Sequence, residues 1–216
     1  MTRHRFLRRL VFATPSARGR CLGVLVAFAF AAGCQPLPPT ELPSLAELLP
    51  GRYAAPHEGQ TVYHKIVAIE APQLGERVLY HQISREGFDG APLQQKIYVL
   101  SPGGDAMRAL VVSEDGAKYQ NLEMKLQLSA NLEAATFLQF PSACDFVWTV
   151  EKDGYLGRVE PEQCQYTSPA FGGTINPSMT YRLSTTEFAI TETLFRANGE
   201  PVFPTSQMVG VRTHPD

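Results

Sequence analysis

Two runs, Val78-Leu-Tyr-His-Gln82 and Pro92-Leu-Gln-Gln-Lys-Ile-Tyr98, place Tyr80, Gln82, Gln94, Lys96 and Tyr98 in segments with strand-like patterning. Tyrosine rings can stack on a flat ligand, and Gln and Lys supply the few orienting polar groups of a cavity. The plainer reading is packing: strand aromatics pair across a sheet, and Gln or Lys on the opposite face meets solvent. Trp148, the only tryptophan, alternates with Phe146 and Val150. It belongs to a ligand wall or to ordinary core, where an indole N–H needs only some acceptor. Asp145 beside Cys144 is a polar contact or the cap of a turn. His64 and His81 lie on runs that can pair, but two histidines without a third ligand do not make a metal site. No nucleophile elbow, P-loop, dinucleotide fingerprint, HExxH or triad spacing is present. The ligand-binding candidates are therefore Tyr80, Gln82, Gln94, Lys96, Tyr98, Asp145 and Trp148, with no catalytic residue and no metal assigned.

The elements that must position these residues are mostly strands. Runs rich in Val, Ile, Tyr, Phe and Thr, punctuated by Gly, Pro, Asp and Asn, predict strands near Thr61–Glu70, Arg77–Ser84, Leu93–Leu100, Arg108–Ser113, Phe146–Glu151, Tyr155–Glu160, Met179–Ser184, Glu187–Phe195 and Gln207–Arg212. Lys152-Asp-Gly154 between two apolar runs is a hairpin signal. Ser44 followed by Glu47 is a capping box, so Ser44-Leu-Ala-Glu-Leu-Leu49 predicts one short helix, stopped by Pro50-Gly51. The Leu-, Glu- and Ala-rich segment Gln120–Leu138 predicts a helix or two. Sequential short strands joined by tight turns argue for an antiparallel meander that closes on itself to remove its edges. The expected fold is thus all-β with minor α, a calycin- or lipocalin-like barrel over residues 44–216. Its inward side chains either fill the core or line a cavity for one small molecule.

The first twenty residues carry six arginines and no acid, and the uncharged run Cys21–Gly33 follows. Those are the n- and h-regions of a secretory signal, and a run of about 13 residues is short of the roughly 20 that span a bilayer. The run ends in Ala31-Ala32-Gly33-Cys34, which resembles the bacterial lipobox. The resemblance implies cleavage after residue 33 and lipidation of Cys34, and Gln35 at the next position implies the outer membrane if the cell is diderm. An ordinary signal peptide with a chance cysteine is the alternative. Residues 34–43 hold four prolines, which favours an extended tether of roughly 28 Å at about 3.1 Å per residue.

Removal of residues 1–33 leaves 13 basic residues against 21 acidic, a net charge of −8. Such a domain is repelled by phosphate backbones, so nucleic acid is not an expected partner; the membrane is, through the anchor. With Cys21 lost and Cys34 lipidated, Cys144 and Cys164 remain as an even pair in an oxidising compartment. A disulfide is expected. Two free or metal-binding thiols are the alternative, although no CxxC spacing or neighbouring His supports zinc.

The ordered set Leu49-Pro-Gly-Arg-Tyr53, Gln60, Val78-Leu-Tyr-His-Gln82, Pro92-Leu-Gln-Gln-Lys-Ile-Tyr98, Ala143-Cys-Asp-Phe-Val-Trp148, Tyr155-Leu-Gly157, Cys164 and Thr180-Tyr-Arg-Leu-Ser184 resembles the CpcT/CpeT family of phycobiliprotein chromophore lyases. The resemblance runs from about Leu45 to Pro204. It implies a calycin-like barrel whose pocket holds a bilin, an open-chain tetrapyrrole with two propionates, and passes it to a cysteine of an acceptor protein. The family's Tyr-Arg-x-Arg strand falls on Leu93-Gln94-Gln95-Lys96, so both forked carboxylate grips are absent and Lys96 offers only a point charge. The family's Glu-Gln becomes His81-Gln82, whereas Cys144, Asp145, Trp148 and Cys164 match. Phycobiliproteins work on the cytoplasmic face and this chain is exported, so the fold and pocket are expected to persist with the ligand changed or lost. Three functions follow: a lipid-anchored binder of an apolar or bilin-like molecule, a chromophore lyase with an unknown acceptor, or a structural envelope lipoprotein with a filled barrel.

Overall fold

A computed structural model describes residues 42–112, 137–168 and 171–213. The signal segment, Cys34, most of the tether and nearly all of the expected Gln120–Leu138 helix lie outside those residues.

The chain opens with a four-residue helix, α1 (Leu45–Leu48). Its start is held as the capping box requires: the Glu47 carboxylate accepts from the Ser44 N–H at 2.9 Å and the Ser44 hydroxyl at 2.7 Å. Twelve strands follow: β1 (Gly51–His57), β2 (Gln60–Ile69), β3 (Arg77–Ser84), β4 (Pro92–Leu100), β5 (Ala106–Val112), β6 (Phe137–Gln139), β7 (Phe146–Glu151), β8 (Gly154–Val159), β9 (Tyr166–Ser168), β10 (Gly173–Ser184), β11 (Glu187–Arg196) and β12 (Ser206–Thr213). All pairings are antiparallel. Ten strands close a ring in the order β1-β2-β3-β4-β5-β7-β8-β10-β11-β12, and β12 pairs back onto β1.

The nine predicted strands are all present. β1, β6 and β9 were not expected, and Phe137 and Leu138, placed at the end of a predicted helix, belong to β6. β10 also starts six residues earlier than predicted, running through Pro177. The proline is tolerated because β9 pairs with Gly173–Ile175 and β8 with Met179–Ser184, so residues 176–178 have a ladder on the β11 side alone.

That interruption breaks the wall. β5 is covered by β7 at Ala106–Met107 and by β6 at Leu110–Val112, while β10 is covered by β8 over one half and β9 over the other. β6 and β9 pair only with β5 and β10 among the described residues, which leaves a slot between them. The Cys144–Cys164 disulfide, with sulfurs 2.04 Å apart, ties the 3-10 turn Ser142–Cys144 to the β8–β9 connection beside this slot.

The opposite end is filled. Leu45, Leu48 and Leu49 of α1 enter an interior cluster with Tyr53, Phe146 and Phe188. Arg212 fastens the plug: its guanidinium donates to Pro50 O at 2.8 Å and the Tyr53 hydroxyl at 2.6 Å, and also to Leu48 O. Tyr53 in turn donates to Leu49 O at 2.9 Å. A second cluster, including Val78, Tyr80, Ile97 and Leu110, lies on the outward face of β3–β5.

Candidate functional site

Register decides which candidates face the interior. His81 pairs with Lys96 and Lys96 with Val111; Leu79 pairs with Tyr98 and Tyr98 with Ala109. Strand alternation therefore points Gln94, Lys96 and Tyr98 inward and Gln95 and Ile97 outward. Tyr80 and Gln82 fall on the outward phase and are not part of an interior site. Their roles are local: Gln95 donates to the Tyr80 hydroxyl at 2.6 Å, Tyr80 donates to Gln82 Oε1 at 3.0 Å, and Gln82 donates to Gly90 O at 3.0 Å.

At the end of the barrel away from α1 lies a cavity of about 440 Å³. It occupies the region where β4 begins and β11 ends, beside the β6–β9 slot. Its lining is mainly apolar, with Val111, Phe140, Phe146, Phe171, Met179 and Leu194 among the contributors. The polar groups facing it are few: Gln94 and Lys96 from β4, Tyr166 from β9, Tyr181 from β10 and Glu192 from β11. Both disulfide cysteines also line it. This composition, an apolar volume with a few convergent polar groups, is that of a small-molecule site.

Of the seven candidates, the structure thus brings Gln94 and Lys96 to the cavity. Tyr98 sits deeper on the same face, below Lys96. Trp148 is interior core: it packs against Gly157, whose missing Cβ would fall 2.7 Å from indole Cε2, and its ring centroid lies 6.4 Å from those of Phe146 and Tyr181. Asp145, between two cavity-lining neighbours, itself lines a separate surface groove, where both its oxygens accept from Arg108 at 3.0 Å. Tyr181 and Glu192 were missed as site residues. A signal existed for Glu192: it continues the apolar phase Phe188, Ile190, Leu194, where an acid needs a reason.

Below the cavity runs a row of buried polar groups. Tyr98 Oη and His81 Nδ1 are 2.8 Å apart, His81 Nε2 and His64 Nδ1 2.9 Å, and His64 Nε2 and Met208 Sδ 3.1 Å. Tyr181 lines the cavity above this row. The sulfur end sets the direction. A thioether has no proton to give, so His64 Nε2–H donates to it, His81 Nε2–H donates to His64 Nδ1, and Tyr98 O–H donates to His81 Nδ1. Each neutral imidazole then uses its single N–H.

Both rings are held neutral. Burial, and secondly the charge of Lys96, lowers the His64 pKa to about 4. Burial also pushes His81 well below its ordinary value, with His64 and Lys96 acting in the same sense. Burial opposes the charge on Lys96 as well, but the Tyr181 hydroxyl and the Glu192 carboxylate outweigh it and raise its pKa. The cavity is therefore lined by an ammonium group, with neutral imidazoles below it. Among the described residues no three His, Cys, Asp or Glu side chains cluster as a metal site would require.

No family model matches this sequence, and no curated protein matches it. A solved structure does: the CRL protein of Arabidopsis aligns over 76% of this chain and 93% of its own, with a TM-score of 0.53 and 11% sequence identity. The likeness is one of fold, and the barrel expected from the sequence is the barrel found.

Proposed function

We propose that the mature chain is an envelope protein, lipid-anchored at Cys34, whose barrel binds one apolar or tetrapyrrole-like molecule and acts as a holder or carrier. The cavity carries this reading: about 440 Å³ of mainly apolar space falls inside the roughly 300–1,000 Å³ of small-molecule pockets. A structural lipoprotein would have no use for that space, since packing it with side chains adds stability. The resemblance to the CpcT/CpeT lyases supports a flat, elongated ligand. The loss of both family arginines at Gln94 and Lys96 supports one less acidic than a free bilin, because a propionate buried without its clamps costs several kcal/mol. α1 follows the tether at the end where β1 begins, and the cavity lies at the other end.

Native mass spectrometry of the membrane-extracted protein tests both halves. The expected result is a chain beginning at Cys34 with added acyl mass, plus a non-covalent small molecule at one per chain. An unmodified Cys34 thiol overturns the anchor. A chain that neither carries nor takes up apolar molecules overturns the binding role.

A further inference from the structure

Two opposite charges face the cavity from different walls. Lys96 projects inward from β4, and Glu192 from β11, where it pairs across the strand with Met179, another cavity residue. Both keep part of their surface accessible. Among the described residues they do not close into a direct ion pair with each other. The Lys96 ammonium carries three N–H donors to give. Glu192 acts on Lys96, Tyr98 and Tyr166 through its charge.

Such a pair selects against net charge. An anion drawn to Lys96 meets the Glu192 carboxylate across the same apolar space, and a cation drawn to Glu192 meets Lys96. Either must give up its hydration for a field that largely cancels. A neutral group with an acceptor and a donor side by side gains from both: its carbonyl accepts from the Lys96 ammonium and its N–H donates to Glu192. Both are charge-assisted hydrogen bonds, the stronger kind.

We propose that the cavity is selective for an uncharged apolar molecule bearing an amide or lactam, with the carbonyl on Lys96 and the N–H on Glu192. This rests on the binding role proposed above and names the class of ligand that role would serve.

The test uses three compounds with one apolar body, 2-naphthamide, 2-naphthoate and methyl 2-naphthoate. Each is measured by equilibrium dialysis against the full chain in lipid nanodiscs, with empty nanodiscs as the blank. The amide is expected to bind at least about tenfold more tightly than the carboxylate, since one well-made charge-assisted hydrogen bond amounts to about a factor of ten. The methyl ester, which has no donor, should fall below the amide. Glu192→Gln removes the repulsion and should raise carboxylate affinity until the order of acid and amide narrows or reverses. Lys96→Met should weaken amide, carboxylate and ester alike, since each presents an oxygen to the ammonium. Carboxylate bound as tightly as amide by the native chain, or an amide preference unaltered in both variants, overturns the proposal. If none of the three exceeds the blank in any of the proteins, the binding role itself fails, and this selectivity with it.

Discussion

Mild acid should destabilise this barrel before its carboxylates titrate, because His64 and His81 are stored neutral in the interior. The His64 pKa is lowered by burial, then by Lys96, from 6.5 to about 4. Between those values the unfolded chain binds a proton that the folded chain does not, so stability rises with pH across the window. The contribution is complete above the unfolded value of 6.5 and is lost as pH falls toward about 4. Near pH 5 His64 is about 1.5 pH units into that window, and at about 1.4 kcal/mol per unit the loss is about 2 kcal/mol. His81, depressed in the same direction, adds to it. In urea, with a slope of about 2 kcal/mol per molar, the midpoint should drop by about 1 M or more between pH 7.5 and 5. Staying at or above pH 5 keeps most carboxylates ionised. His64→Gln/His81→Gln should lower stability at pH 7.5, since the row loses its ring nitrogens, yet flatten the dependence on pH. A native midpoint that does not move between pH 7.5 and 5, or a double variant that keeps the native slope, would refute the reasoning.

Three further outcomes are expected. Native protein should show no alkylatable thiol at Cys144 or Cys164, and replacing both by Ser should cost about 3 kcal/mol of unfolding free energy for a loop spanning 20 residues. Gly157→Ala should cost about 1–3 kcal/mol and alter the near-UV signal of Trp148, because its Cβ meets the indole at 2.7 Å. Gly173→Ala, with nothing within 4 Å of its Cβ, should stay within about 0.5 kcal/mol. Arg212→Met should leave the carbonyls of Leu48 and Pro50 without their donor, at a cost of about 1–3 kcal/mol, and speed amide exchange in α1.

Strand positions were legible in the sequence wherever β-branched and aromatic residues ran between turn signals, as in Arg77–Ser84 or Glu187–Arg196. β1 was not: Gly51-Arg-Tyr-Ala-Ala-Pro-His57 is rich in small residues and contains a proline, and only its pairing with β2 and β12 makes it a strand. β6 and β9 are three residues each, too short to carry a period. The site was half legible for a different reason. Period-2 alternation groups Gln94, Lys96 and Tyr98, but it cannot say which phase points inward when both faces are apolar. Here the outward face of β3–β5 is itself buried, so Tyr80 and Ile97 look as interior as Leu79 and Tyr98. That second cluster is what misplaced Tyr80 and Gln82. Nor can spacing bring β4 within reach of β10 and β11; closure does that, and with it Tyr181 and Glu192.

The two ends of the barrel differ in packing, one filled and one hollow, and the difference follows from a few residues. At the α1 end Arg212, Tyr53 and three leucines fill the interior and leave no room for a guest. At the other end Pro177 marks where β10 passes from one neighbour to another, and β6 and β9 are too short to meet. Beside that interruption the Cys144–Cys164 disulfide adds a covalent cross-link, and Phe140 packs on Tyr166 with ring centroids 4.8 Å apart. The row from Tyr98 to Met208 crosses the boundary between the two halves. Buried imidazoles are tolerable only when each nitrogen is matched, and one direction of donation matches them all, from the Tyr98 hydroxyl to a thioether in the core.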